Sequence, residues 1–359
     1  MTESEYSRRR ALALSALADR KLDALLISSP ASVRYLTGFA GSNGLLLISH
    51  GTFRLFTDPR YKLQAASATG CRVSAVRGSL FRAAAMSLGA GRPRLGFNPR
   101  QLTHEAFLEL TGVSAARLRL LPDGGLVETL RMTKSPQEIE LLRLSARLNS
   151  EALARSLPAI RPGVRELDLA AEIDHHSRRL GAEKPAFETI VAFGARSAMP
   201  HASPGPKILT RNELVLIDMG AFCQGYASDM TRMAFAGIPG RRVRKLYAAV
   251  LEAQLAALHA VREGVTAGSV DRAARRVLRK HGLERAFAHS CGHGLGLEIH
   301  ESPRLGRGDK TRLQAGMAVT VEPGVYLQEF GGIRIEDTVV VTRNGCEILT
   351  PTSKELLTV

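Results

Sequence analysis

His289-Ser290-Cys291-Gly292-His293-Gly294-Leu295-Gly296-Leu297-Glu298-Ile299-His300-Glu301 carries three histidines and three glycines in thirteen residues. A lone histidine, such as His50, His104 or His281, is ordinarily surface or satisfied core. A cluster threaded with glycine reads differently, because glycine lets the backbone pass close to a site. Gly292-x-Gly294-x-Gly296 is not a dinucleotide fingerprint, since the spacing and the strand–helix context are wrong.

Outward from that segment, carboxylates stand where apolar strands are expected. Leu214-Val215-Leu216-Ile217-Asp218-Met219 places one in an apolar run. Asp229 follows eleven residues later, with Gly220 and Gly225 between, so the pair is expected to face across a hairpin. Val319–Val321 ends a strand on Glu322, and Glu336 is expected inside a strand spanning Ile333–Thr342. A buried, unpaired carboxylate is costly, so each needs a partner. Singly, each reads as a strand end or a salt bridge. Together, with few cations nearby beyond Arg334, the four point to a metal cluster. Four carboxylates make an oxygen-rich set, which suits divalent Mn, Co or Zn and disfavours copper. Two carboxylates per metal imply two divalent ions, Mn2+ first and Co2+ or Zn2+ next, about 3.5–4 Å apart.

On these residues the sequence resembles the pita-bread metallopeptidases, in the group of Xaa-Pro aminopeptidase (aminopeptidase P) and Xaa-Pro dipeptidase (prolidase). The resemblance implies metal ligands at Asp218, Asp229, His293, Glu322 and Glu336, with Asp229 and Glu336 bridging. His201, seventeen residues before Asp218, falls where the family has a catalytic histidine. By the same resemblance, His300 stabilises the oxyanion, His289 lines the proline pocket and Glu322 shuttles a proton to the leaving nitrogen. Arg334 is expected to pair with the site's carboxylates or with a substrate carboxylate, and Tyr326 to stand beside the site. The expected substrate is a peptide with proline at its second position. Family members are commonly dimers, so a homodimer is expected.

The first half reads as alternating helix and strand, hence an α/β domain with a mixed or parallel sheet. Strands are expected at Asp23–Ser28, Leu45–Ile48, Thr52–Phe56, Arg94–Phe97 and Leu118–Leu121, with helices to about Arg20, over Arg60–Ala68 and over Leu80–Leu88. Val33-Arg34-Tyr35-Leu36-Thr37-Gly38-Phe39, Gly41-Ser42-Asn43-Gly44 and Phe56–Tyr61 resemble the creatinase-type N-terminal domain. Pro59 stands where that family usually has Gly, and Cys291 where it usually has Thr, leaving a thiol two residues from a ligand. Pro122-Asp123-Gly124-Gly125 and the Ser135-Pro136-Gln137-Glu138 capping box mark the boundary. The expected organisation is a creatinase-like α/β domain over residues 1–125 and an α+β pita-bread catalytic domain over 126–359. The Tyr35–Gly44 segment favours the aminopeptidase over the dipeptidase. Methionine aminopeptidase lacks such a first domain, creatinase does not use the five ligands, and a metal-free binding module has no need of them.

Composition sets outer limits. The chain has 359 residues, 45% hydrophobic and 23% charged, which suits a globular protein of two domains. Its net charge of +15 raises nucleic acid as a partner, but the clusters Arg8–Arg10 and Arg241–Arg244 are short and no binding motif accompanies them. No run approaches 18 apolar residues, so no membrane partner is expected. Arg8–Arg10 before Ala11–Ala18 is too short an apolar stretch for a signal peptide, and Leu12, Leu14, Leu17 and Ala18 suit an amphipathic first helix. Four dispersed cysteines suggest a reducing compartment, the cytoplasm.

Overall fold

The computed structural model describes residues 1–89, 91–114 and 118–359. The chain divides into two compact units, Met1–Arg131 and Met132–Val359. The division falls beyond Gly125 because the short helix Leu126–Met132 is tied to the first unit. Arg131 donates to Ser32 Oγ at 3.1 Å, and Ser32 Oγ donates to Glu128 at 2.9 Å.

The first unit is built on six strands: β1 Ala24–Ile27, β2 Gly44–Ser49, β3 Thr52–Thr57, β4 Arg72–Ala75, β5 Arg94–Phe97 and β6 Arg119–Pro122. They order β4-β3-β2-β1-β5-β6, with β2 antiparallel to both neighbours and the other pairs parallel. Leu26, Leu45, Leu47 and Leu95 pack under the helices Leu80–Met86 and His104–Ser114. The first helix, Glu3–Asp19, corrects an expectation. Its buried residues are Glu5, Arg9, Arg10 and Ala13, while Leu12 is exposed. Arg9 stacks over the Tyr35 ring at 4.2 Å and donates to the Tyr35 carbonyl at 3.0 Å. Arg10 donates to the carbonyls of Leu36 and Thr69. Two of the three arginines in the N-terminal cluster are therefore spent inside the fold. Pro59 opens a 3-10 turn capped by Asp58, whose carboxylate accepts from the Arg60 N–H at 2.9 Å.

The second unit sandwiches sheets between helices. Its four-stranded sheet orders Leu357–Thr358, Met230–Phe235, Leu214–Met219 and Ile190–Phe193. Strand side chains alternate between faces. Val215, Ile217 and Met219 pack with Ala152, Leu153, Leu169 and Ile173 of the helices Pro136–Ser156 and Glu166–Arg179. Leu214 and Leu216 face the opposite core, with the helices Arg241–Ala260 and Ala267–Lys280. Burial on both faces explains the unbroken apolar run, and the alternation carries Asp218 to the side of Leu214 and Leu216. A five-stranded sheet, ordered Glu301–Arg304, His293–Gly294, Ala318–Val321, Asp337–Val341 and Cys346–Ile348, shares that second core through Val319, Val321, Val339 and Val341.

The expected single strand Ile333–Thr342 is two strands. Gly331–Arg334 pairs with Gly324–Leu327 in a hairpin, whereas Asp337–Val341 joins the five-stranded sheet. Ile335 and Glu336 form the break, so Glu336 is not inside a strand. Among the described residues, no helix is long and apolar enough to cross a membrane.

Candidate metal centre and active site

The centre forms where two antiparallel ladders run out. In the four-stranded sheet Asp218 stands opposite Thr231. Asp229, two residues before Thr231, lies on the same side, diagonal to Asp218 rather than directly facing it. In the five-stranded sheet Val321 pairs with Asp337, so Glu322 and Glu336 are the next residues past the last rung. Asp218, Asp229 and Glu336 each offer an oxygen, and these lie within 4.8 Å of one another. His293 Nε2 stands 3.5 Å from Asp229 Oδ2 and 3.5 Å from Glu322 Oε1, drawing the remaining two into the cluster.

The backbone approach that this needs is made by glycine. A Cβ on Gly292 would lie 2.0 Å from the Thr320 carbonyl oxygen, and one on Gly294 2.3 Å from that of Ser302. His293 is held from behind. Its Nδ1 stands 3.0 Å from the Gly294 carbonyl, which only accepts, so Nδ1 carries a proton and Nε2 is turned to the carboxylates. The His293 N–H donates to Thr320 Oγ1, and that hydroxyl donates to Glu322 Oε1 at 3.1 Å.

The electrostatics are those of a site short of positive charge. Burial pushes the Asp218 carboxyl above its ordinary range, against the pull of Arg334. Burial also raises Asp229, to about 7, and Asp218 adds to this. Glu336 is raised well above its usual value by burial and by Asp229. Burial pulls His293 down, but Asp229 and Glu322 outweigh it and lift the imidazole to about 9. Asp218 Oδ1 is buried with no hydrogen-bond partner among the described residues. Clustered carboxylates with an orphaned oxygen fit divalent cations, which would supply the missing charge.

A second tier surrounds the cluster. Arg334 Nη2 donates to Asp218 Oδ2 at 2.6 Å, Nη1 to the Tyr326 hydroxyl at 2.6 Å and Nε to Thr231 Oγ1 at 3.0 Å. Tyr326 Oη stands 2.8 Å from His289 Nε2, and His289 Nδ1 2.8 Å from the Ser290 carbonyl. A carbonyl only accepts, so His289 Nδ1 carries a proton, and in the neutral ring Nε2 accepts from Tyr326, which itself accepts from Arg334. Burial lowers the His289 pKa and pushes Tyr326 up to about 12. The His300 ring lies edge-on to His293 at 4.4 Å. Burial holds its pKa down, and His293 adds to that. His201 is exposed beyond the turn Gly194–Ala198, and its neighbour Pro200 accepts from Arg334 Nη1 at 3.2 Å.

Comparison with known proteins agrees with this arrangement. A model described as metallopeptidase family M24 matches residues 140–343, and one described as the creatinase/prolidase N-terminal domain matches residues 9–133. The chain belongs to metallopeptidase family M24. It is 44% identical over 231 residues to the Xaa-Pro dipeptidase of Pyrococcus furiosus, spanning 64% of this chain and 66% of that one. A structure of the Xaa-Pro dipeptidase from Bacillus anthracis superposes with a TM-score of 0.93 at 36% identity, covering 99% of this chain and all of that one. The X-Pro aminopeptidase from Thermotoga maritima does so with a TM-score of 0.86 at 35% identity, over 95% and 99%.

As an M24 metallo-exopeptidase, the chain holds further polar residues that its sequence pattern left unremarked. Thr231 passes a hydrogen bond from its hydroxyl to Glu336 Oε2 at 2.7 Å while accepting from Arg334. Thr320 links His293 to Glu322. The available signal was polarity inside apolar runs, in Met230-Thr231-Arg232-Met233 and Val319-Thr320-Val321. Cys291 is wholly buried, with its thiol pushed well above the ordinary value, which marks it as an inert packing residue.

Proposed function

We propose that the chain hydrolyses Xaa-Pro bonds at peptide N-termini, with Xaa-Pro dipeptides as the preferred substrates, using two divalent ions, Mn2+ first. The observation that carries this reading is the convergence of Asp218, Asp229, His293, Glu322 and Glu336 within a family M24 chain. The dipeptide preference follows the relatives that are named Xaa-Pro dipeptidase, one of them similar along nearly the whole chain. This reverses the lean towards aminopeptidase drawn from Tyr35–Gly44.

Asp218, Asp229 and Glu336 would hold the cations together with His293 and Glu322. When bound, the cations supply Lewis acidity at the scissile carbonyl and make a water acidic near neutral pH. The chain's own groups do the rest. Glu322, oriented by Thr320, takes up a proton and delivers it to the leaving nitrogen. That delivery is obligatory for proline, whose nitrogen carries no N–H in a peptide. His300, beside His293, donates to the oxygen on which negative charge develops. His201 contacts the substrate beyond the scissile bond. His289, kept neutral and fixed by Tyr326 and Ser290, presents an uncharged wall to the proline ring.

One observation favours the aminopeptidase as a second reading. Arg334 is buried and its guanidinium is committed to Asp218, Tyr326, Thr231 and Pro200. It is therefore not available to hold the carboxylate that ends an Xaa-Pro dipeptide. The deciding experiment compares Xaa-Pro dipeptides with Xaa-Pro-Xaa tripeptides under added Mn2+, Co2+ or Zn2+. Faster dipeptide turnover is expected. Preference for the tripeptide would make the chain an aminopeptidase, and no cleavage of either would reject the Xaa-Pro assignment.

A further inference from the structure

We propose that Arg232, Asp337 and Lys354 form a positioning network that sets the centre's cation affinity through Glu336, making residues 352–354 part of the site's support. The inference rests on the cation-site reading above. Asp337 directly follows Glu336 and is wholly buried. Its Oδ1 accepts from Arg232 Nη2 at 2.8 Å, and its Oδ2 accepts from Gln254 Nε2 at 2.9 Å and Lys354 Nζ at 2.6 Å. Arg232 is also buried, and on its strand it points away from the side to which Thr231 turns.

The guanidinium of Arg232 grips two backbones at once. Nη1 donates to the carbonyls of Thr231 and Glu336, the same two residues whose side chains meet at Glu336 Oε2. Nε donates to the Ser353 carbonyl at 2.9 Å and Nη2 to that of Thr352 at 2.7 Å. Glu336 needs this support because it stands in a break between strands, where no ladder fixes its carbonyl. A buried ion network contributes little net stability compared with apolar packing. Its return here is geometric: it holds the Glu336 backbone so that the carboxylate faces Asp218 and Asp229.

Arg232, Asp337 and Lys354 act on the cluster through the Glu336 backbone, so they are positioning residues. The sign of the effect separates positioning from simple charge. Removing a positive charge near a carboxylate cluster should tighten cation binding, whereas loss of positioning should weaken it. The test is Mn2+ titration of the whole chain by calorimetry, without peptide. Lys354→Met is expected to weaken Mn2+ binding about 10-fold and Arg232→Lys up to about 100-fold, the range typical of groups behind metal ligands. Lys354→Arg, which keeps a donor towards Asp337, should bind as the parent does. The exposed Lys280→Met serves as the control for loss of charge and should not weaken binding. Lys354→Met binding Mn2+ as tightly as the parent, or more tightly, overturns the proposal, as does equal weakening in Lys280→Met. Because no peptide is present, failure to cleave Xaa-Pro substrates would reject the substrate assignment and leave this result standing.

Discussion

His300 is the residue whose position most nearly isolates a chemical role. It lies against His293 and, among the described residues, makes no hydrogen bond to a carboxylate of the cluster, so its loss should spare the cations. His300→Ala is expected to lower kcat by about 10²–10³ with metal content unchanged. Metal analysis alongside steady-state kinetics checks this, and loss of metal would make the residue a ligand or a scaffold instead. Glu336 is the opposite case, a carboxylate whose charge is unfavourable until a cation arrives. Glu336→Gln keeps an acceptor for Thr231 and removes one of three crowded charges. In chelator, the variant should melt at or above the parent's temperature. With Mn2+ added, the parent should gain stability and the variant should gain little. A large cation-dependent gain in the variant would remove Glu336 from the ligand set.

At the scale of elements, the centre depends on how closely two strands approach. Gly292→Ala would place its Cβ 2.0 Å from the Thr320 carbonyl, a clash with backbone that cannot turn aside. The cost of such overpacking is about 1–3 kcal/mol. For a unit of this size that lowers Tm by roughly 2–12 °C. Because His293 and Glu322 flank the contact, cation binding should weaken with it, and a variant that melts early but binds Mn2+ normally would show that the approach does not position the ligands. The capping box at Ser135 gives a contrasting test. Ser135 Oγ accepts from the Glu138 N–H and the Glu138 carboxylate accepts from the Ser135 N–H. Ser135→Ala should cost about 1 kcal/mol, read in denaturant unfolding, and leave turnover intact. Both features follow local rules, and the capping box is visible in four residues of sequence. The helix Pro30–Thr37 obeys the same local rules, with Ser29 as its cap and Gly38 closing it at φ 77°.

For the molecule as a whole, chelation should abolish peptide hydrolysis, and Mn2+ or Co2+ should restore it. Thermal stability should move in parallel, because a ligand that binds only the folded state stabilises it. At a cation concentration about 100 times Kd the gain is about 2.7 kcal/mol. Full activity in chelator would sink the two-ion centre.

What the sequence by itself determined is the set of parts: five candidate ligands, the α/β and α+β textures, the capped helix at Ser135. These are legible because helix and strand periods and cap chemistry act over a few residues. The tertiary structure alone decided which parts meet. Arg334 and Asp218 are 116 residues apart in the chain and 2.6 Å apart in space. The break at Ile335–Glu336 was invisible because no glycine or proline marks it, and only pairing with two different sheets divides the strand. Arg9, Arg10 and Arg232 carry no local sign of burial, yet each is buried against carbonyls or carboxylates contributed from elsewhere in its own unit. A side chain's burial depends on packing from all sides, whereas sequence periodicity describes only the element it belongs to.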